Sequence, residues 1–334
     1  MELNGRAPAL DAPFPTFQPL LQNGHLQTIV GRYWPTHLDE DRYPTTDRLF
    51  ETEPGVRVLT RCNRRNQGPR HGTVLAVHGL TASSEAPYMR TLAQAALSAG
   101  FDVVRVNVRN CGRTEHLSPT LYHSGLTVDL RYIVEQLAPE RLFLIGFSMG
   151  GNMVMKLAGE WGDGPPANVA GVCGISVPIC LADCARELGR PRNRIYEIRF
   201  LRELGRTLRT KQRLMPERFS TLSAAGVRSI YEFDDCVTAR AFGFRDADDY
   251  YEQSSSRPFL KLIRLPALLI QAQDDPFVPL RIFKHPDVWA SPCVRLLGTE
   301  HGGHVAFLAR EGPRFWATEQ AVEFFQRLAT GVAA

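Results

Sequence analysis

The chain has 334 residues, 44% of them hydrophobic and 22% charged, and a formal net charge of +4. That length holds one large α/β domain or two smaller ones, and the balance excludes a disordered chain. The positive excess is too mild and too dispersed to argue for a nucleic-acid partner.

The seven cysteines are odd in number and include no C-x-x-C. They read as free thiols in a reducing compartment rather than as a disulfide framework. The first residues, Met1 to Pro8, lack the basic start and apolar core of a signal peptide, and the longest apolar stretch, Val169 to Ala182, is too short to span a bilayer. A cytoplasmic location is the expectation.

Residues 1–44 are rich in proline and aromatics, with Pro13, Phe14, Pro15, Phe17, Pro19, Tyr33 and Trp34. Too many apolar groups need burial for a flexible tail, so an extended arm packed on the core is expected. Within it, His25 and Gln27 either line a pocket mouth or hydrogen-bond the arm to the core. Arg48 to Thr52 and Val56 to Arg61 have strand spacing about Pro54-Gly55, a hairpin signal. An apolar strand, Thr73 to Val77, runs into His78-Gly79-Leu80. A helix from Pro87 to Ala99 stops at Gly100, and a strand covers Phe101 to Val108. Cys111 follows and reads most simply as an apolar filler. A helix is expected from Thr127 to Leu137.

The next strand, Leu142 to Ile145, ends in Gly146-Phe147-Ser148-Met149-Gly150, which is G-x-S-x-G, and Asn152 to Ala158 then reads as a helix. Strand, tight turn and helix are the setting a nucleophile elbow requires. The flanking glycines make room for a serine in a strained conformation. The helix aims its N-terminus, and the Met149 N–H, at an oxyanion formed beside Ser148.

Val169 to Ile175 is a further strand. The alternation of strand and helix breaks near residue 180 and resumes near 266. In between, Ile195, Ile198, Leu201, Leu204 and Leu208 recur at helical spacing. From Arg186 to Arg218 there are eleven basic residues against four acidic ones. Such a helix can touch an anionic membrane or substrate, although a solvated face is the favoured reading. Asp234 and Asp235 read as anchors of this insertion through salt bridges. Strands at Pro266 to Gln273 and Val294 to Gly298 and a helix from about Pro313 to Leu328 close the chain. The fold class expected is α/β: a mostly parallel sheet with helices on both faces. Its parts are an arm (1–44), a core (45–179), a cap insertion (180–262) above the strand ends, and the rest of the core (263–334).

A serine hydroxyl needs a base to take its proton, and histidine has the right pKa. His304, in Glu300-His-Gly-Gly-His304, follows the last strand, and the glycines let its loop fold back. His301 is the competitor, closer to the strand. The two histidines as metal ligands lack partners and an H-E-x-x-H helix. The orienting acid should follow the preceding strand, where Asp274 and Asp275 both stand. Asp275 is preferred for its spacing to Pro279, which leaves Asp274 to cap the following turn. The order Ser148, Asp275, His304 is that of the α/β-hydrolases. The second oxyanion donor expected is the Leu80 N–H, with His78 bracing its loop. No G-x-G-x-x-G follows a strand, and no cofactor or metal is expected.

Several segments together resemble the YheT-like branch of the α/β-hydrolases, relatives of the ABHD esterases and lipases. They are Asn23-Gly-His-Leu-Gln-Thr-Ile29, His78-Gly-Leu80, Tyr122-His-Ser-Gly125 with Asp129, Gly146 to Gly151, Phe233-Asp-Asp235, Tyr250-Tyr251, Asp274-Asp-Pro-Phe277 and Glu300 to His304. The resemblance implies a serine carboxylesterase or lipase with Ser148, Asp275 and His304 as its triad. The substrate expected is a small-molecule ester, lipid-like esters included. An acyltransferase with the same triad, or a binding protein without turnover, are the alternatives.

Overall fold

The computed structural model describes residues 16–68 and 70–331. The start of the expected arm, including Pro13, Phe14 and Pro15, and the N-terminal residues read for a signal peptide lie outside the described residues. The first helix among the described residues, α1 (Gly24–Tyr33), corrects the extended arm expected there. Asn23 caps it by accepting the Leu26 N–H at 3.0 Å, and no proline interrupts the chain before Pro35. Composition suggested an extended arm, but one cap residue and ten unbroken positions suffice for three turns.

Eight strands form one sheet in the order β1-β2-β4-β3-β5-β6-β7-β8. β1 (Thr45–Glu53) and β2 (Val56–Asn63) make the hairpin expected around Pro54-Gly55, and β2 pairs antiparallel with β4 (Phe101–Val106). The remaining pairs are parallel and join β4, β3 (Gly72–Val77), β5 (Leu142–Phe147), β6 (Val169–Ile175), β7 (Ala267–Ala272) and β8 (Val294–Thr299). Every residue of β4, β5 and β7 is buried. Helices cover both faces, which is why these strands read as continuous apolar runs rather than as alternating ones. The helices are α2 (Pro87–Ser98), α3 (Val128–Gln136), α4 (Met149–Trp161) and, near the end, Trp316–Thr330. Two large apolar clusters follow, one on each side of the sheet. One holds Leu75, Leu144, Met153 and Leu157; the other holds Val74, Phe143, Leu92 and Phe325.

Between β6 and β7 the chain leaves the sheet for an insertion. It contains α5 (Leu181–Leu188), α6 (Arg194–Leu214), a helical stretch from Ile230 to Phe242 with a π turn at Asp234–Ala239, and α7 (Ala247–Ser254). The closing helix Trp316–Thr330 is then α8. The apolar face expected for α6 needs one correction. Ile195 is 81% exposed, whereas Glu197 and Lys211 are buried. Each buried charge has partners that its spacing in sequence does not show. Glu197 accepts the Ile230 N–H at 3.1 Å and Arg194 at 2.8 Å. The Lys211 ammonium donates to the carbonyls of Glu115, at 2.9 Å, and Ser118, and burial lowers its pKa to about 8. Some of the positive charge counted in this region is paired with carboxylates, although eleven basic residues against four acidic ones leave an excess. Glu187 alone is paired with Arg190, Arg192 and Arg281.

Among the described residues no helix is long and apolar enough to cross a membrane. All seven cysteines are free.

Candidate active site

The six parallel strands point their carboxyl ends at one edge of the sheet, and the residues read from the sequence sit on the loops leaving that edge. Ser148 follows β5 and precedes α4 directly. Its backbone is at φ 52, ψ −121, a conformation that L-residues seldom adopt. Its N–H donates to the Ile175 carbonyl at 2.9 Å, and its carbonyl accepts from Asn152 at 3.1 Å. The neighbouring glycines are needed for space. A Cβ on Gly146 would collide with the Gly150 backbone, and one on Gly150 with the carbonyls of Val77 and His78. Strand β3 therefore packs directly against the first turn of α4.

The loop after β3 is held from several sides. Buried His78 has its Nδ1 2.7 Å from the Gly79 carbonyl, and its Nε2 accepts the Val108 N–H at 3.1 Å. This is the bracing role expected of it. The Gly79 N–H donates to the Tyr88 hydroxyl at 3.0 Å and the Thr81 N–H to the Tyr122 hydroxyl at 3.3 Å. Leu80 lies between these two tethered amides, and the Gly79 backbone passes close to the Ser148 side chain. Burial raises the Tyr88 pKa to about 12 and the Cys111 pKa to about 12, so both are neutral at ordinary pH.

His304 and Asp275 meet. The imidazole Nδ1 is 2.9 Å from one carboxylate oxygen and 3.1 Å from the other. The Asp275 side chain is fully buried and that of His304 is 10% exposed. Asp275 also accepts the N–H groups of Phe277, at 2.8 Å, and Val278, at 3.0 Å. It therefore caps its own turn, the task the sequence reading gave to Asp274. Asp274 instead accepts the Gly303 N–H at 2.8 Å and lies 3.3 Å from His301 Nδ1. Burial raises its pKa. The two histidines thus each take their own carboxylate. Among the described residues no group of three or more His, Cys, Asp or Glu side chains could hold a metal ion.

Three residues position the His304 loop and the chain after it, and sequence reasoning missed two of them, Thr28 and Ser176. Thr28, on α1, accepts the His304 N–H at 2.8 Å. Ser176, itself at φ 53 beyond β6, accepts the Val305 N–H at 2.9 Å. Gln27 is buried and clamps Leu308 from both sides, accepting its N–H at 2.8 Å and donating to its carbonyl at 3.1 Å. That settles Gln27 as a tie between arm and core. His25 stacks on Tyr196 of α6. Val305 is a β-branched residue at φ 69, and Thr81 at φ 56 is another non-glycine in the left-handed region. Such strain at four strand ends clusters around one site. No sequence pattern announces Thr28 or Ser176. Their role rests on distant backbone approaching them.

Ser148 and His304 border two cavities. The first, of about 130 Å³, lies under the insertion and is walled by side chains such as Leu181, Leu188, Leu204 and Leu208. The second, of about 270 Å³, lies between α1 and α6. Leu80, Phe200 and Phe277 line both, so the pair form two lobes meeting at Ser148 and His304. The Phe277 ring packs 4.5 Å from the His304 ring, centroid to centroid.

Asp234 and Asp235 correct another expectation. Neither forms a salt bridge among the described residues. Asp234 opens onto the insertion lobe and accepts from Thr238 at 2.7 Å and from the Tyr251 hydroxyl at 2.8 Å. Removal from bulk water raises its pKa to about 6. Asp235 accepts the Ala247 N–H at 3.1 Å.

The pattern expected for the α/β-hydrolase fold matches residues 72–189 of this chain. A protein of Escherichia coli strain K12 that carries the name "Putative esterase YheT" is 32% identical over 305 residues, which is 88% of this chain and 87% of YheT. The chain belongs to the YheT-type α/β-hydrolases. The mouse phospholipase ABHD3 is 31% identical over 247 residues, 72% of this chain and 60% of that one. A Saccharomyces cerevisiae protein, medium-chain fatty acid ethyl ester synthase/esterase 2, is 28% identical over 76% of this chain and 62% of its own length. Among solved structures, the esterase Pf2001 of Pyrococcus furiosus superposes with a TM-score of 0.56 at 19% identity, covering 88% of this chain and 98% of that one. That last likeness is one of fold.

The buried histidines of this YheT-type chain make a prediction about stability. His78 is held neutral, its pKa lowered to about 4 chiefly by burial. The unfolded chain binds a proton at about 6.5 and the native state does not, so His78 destabilises the fold as pH falls from about 6.5 to about 4, by about 3 kcal/mol in all. Burial also lowers the His123 pKa, to about 3, with the same sign. Asp234, whose pKa is raised, acts in the opposite sense between about 6 and 4. Asp274 and Glu319, whose pKa values burial also raises, act with Asp234 at lower pH, so the histidine effect is read between about pH 7 and 6, where urea midpoints are expected to fall as the pH is lowered. A flat or rising series would contradict the assignment of neutral buried histidines.

Proposed function

We propose that this α/β-hydrolase cleaves carboxylic esters through an acyl-enzyme on Ser148. The observation that carries the reading is the His304–Asp275 pair, set on the same cavity wall as the strained serine of the elbow. With its proton on Nδ1 directed at Asp275, the His304 imidazole keeps Nε2 as a base. The Ser148 hydroxyl oxygen attacks the ester carbonyl carbon while His304 takes the hydroxyl proton. The tetrahedral oxyanion is held by the N–H groups of Leu80 and Met149. Collapse breaks the carbon–oxygen bond to the alcohol, and His304 returns the proton to that oxygen. Water then repeats the sequence and frees the acid. Asp275 holds the ring and stabilises its charged form. Asp274 and His301 brace the loop and take no part in proton transfer. The insertion serves as a cap whose apolar walls receive the acyl chain.

A second reading has one specific support, the yeast relative whose name carries both synthase and esterase. An acyl-enzyme can pass its acyl group to an alcohol as well as to water. Both readings are tested by turning over p-nitrophenyl esters of increasing acyl length with and without added ethanol or glycerol. Hydrolysis predicts free acid as the product throughout. Transfer predicts that new ester rises with acceptor at the expense of acid. Release of p-nitrophenol no faster than in buffer, at every chain length, would contradict both.

A further inference from the structure

The two lobes differ in charge. The insertion lobe has mostly apolar walls, aliphatic and aromatic, and its one acidic side chain among the lining residues is Asp234. The lobe between α1 and α6 is lined by two arginines, Arg32 and Arg199, and by no carboxylate. Arg32 comes from α1 and Arg199 from α6, so two separate elements bring like charges to one cavity. Each guanidinium lies over an aromatic ring, Arg32 over Tyr33 and Arg199 over Phe200. Neither forms an ion pair with a carboxylate among the described residues, in contrast to the glutamate-paired arginines 190, 192, 194 and 206 of the same region. Glu203, one turn along α6, is itself paired to Arg206 at 3.0 Å. Partial burial, and then the field of Arg32, lowers the Arg199 pKa, with Glu203 acting against them. Two cations held together at this cost are what an anion would relieve.

We propose that the α1–α6 lobe is a subsite for an anionic group carried on the alcohol part of the ester, with Arg32 and Arg199 as its specificity residues. The proposal rests on the esterase reading, since it assumes an ester laid across Ser148. An ester attacked at the junction of two lobes places its acyl part in one and its alcohol in the other. The hydrocarbon chain matches the mostly apolar insertion lobe. An anion there would face Asp234, whereas in the second lobe it meets two guanidiniums. That lobe is also the larger, about 270 Å³ against about 130 Å³. Its rim includes Ile29, Tyr33 and Ile195, which are 45%, 76% and 81% exposed and can cover the uncharged stem of an alcohol. A phosphate, as a monoester or within a lipid headgroup, has the charge and oxygens to accept from both arginines.

The test compares kcat/KM for soluble esters of one acyl chain: 1-butanoylglycerol, 1-butanoylglycerol 3-phosphate, and butanoylcholine as the cationic counterpart. Dihexanoyl phosphatidylglycerol, kept below its micelle concentration, serves as the lipid arm against neutral dihexanoylglycerol. The anionic member of each pair is expected to be favoured by about tenfold at low salt, with butanoylcholine the poorest, and the preference should shrink as NaCl rises. The larger of the two anionic preferences tells a water-soluble phosphate ester from a lipid headgroup. The double variant Arg32→Gln, Arg199→Gln should bring both anionic-to-neutral ratios within about twofold of unity. Ratios near unity in the wild type, with the neutral ester still hydrolysed, would overturn this inference alone. A preference that survives in the double variant would overturn it as well. Failure of every ester would instead sink the esterase reading beneath it.

Discussion

Replacing Ser148 by alanine is expected to lower kcat/KM for p-nitrophenyl butanoate by at least about 10³-fold, with the fold intact. The serine hydroxyl makes the bond to the acyl carbon in the proposed mechanism, and alanine has nothing to put there. The substitution keeps a Cβ, so the backbone at φ 52 is no better and no worse served than before. The bonds that hold the turn, from the Ser148 N–H to Ile175 and from Asn152 to the Ser148 carbonyl, use main-chain atoms and survive. Far-ultraviolet circular dichroism and the urea midpoint should therefore match the wild type while turnover collapses. Residual hydrolysis from oxyanion donors and substrate binding sets the floor. Wild-type turnover in the variant would place the activity in another residue.

The second large effect distinguishes the two adjacent aspartates and the two nearby histidines. Asp275→Asn is expected to cost about 10³–10⁴-fold in kcat, because an amide can donate to Nδ1 and hold the wrong tautomer. His304→Ala should cost at least about 10³-fold, and adding it to Ser148→Ala should cost little more, since the groups act as one unit. Asp274→Asn and His301→Gln are expected to cost less than about tenfold. Their pair steadies the loop through the Gly303 N–H and meets Ser148 nowhere in the mechanism. Steady-state kinetics on the four single variants and the double variant would settle it. A collapse on changing Asp274 with Asp275→Asn harmless would exchange their roles.

The strands were readable because burial on both faces leaves uninterrupted apolar runs, as in Leu142 to Phe147. The placement of Ser148, Asp275 and His304 was readable for the same reason: Ser148 follows β5 directly, and the other two stand on the loops just past β7 and β8. Other features depend on what meets what across the fold. The helix α1 was hidden by the proline and aromatic content around it, although Asn23 carries its cap. Ile195 kept the helical spacing of a core residue yet stands at a cavity rim, because α6 buries Glu197 and Lys211 against partners 33 and 93 residues away. Ser176 and Thr28 look like ordinary polar residues until the His304 loop comes to rest on them. The charge contrast between the two lobes likewise exists only once α1 and α6 face each other.

The claim on which the account turns is that the Ser148 oxygen becomes covalently acylated. A fluorophosphonate mimics the ester at that step and leaves a stable phosphonyl group on the attacking atom, so intact-mass spectrometry with peptide mapping reads the answer directly. The account predicts one added group, on the peptide bearing Ser148, and none on Ser148→Ala. An unlabelled wild type under conditions where it turns over esters, or a label that persists on the alanine variant, would contradict it.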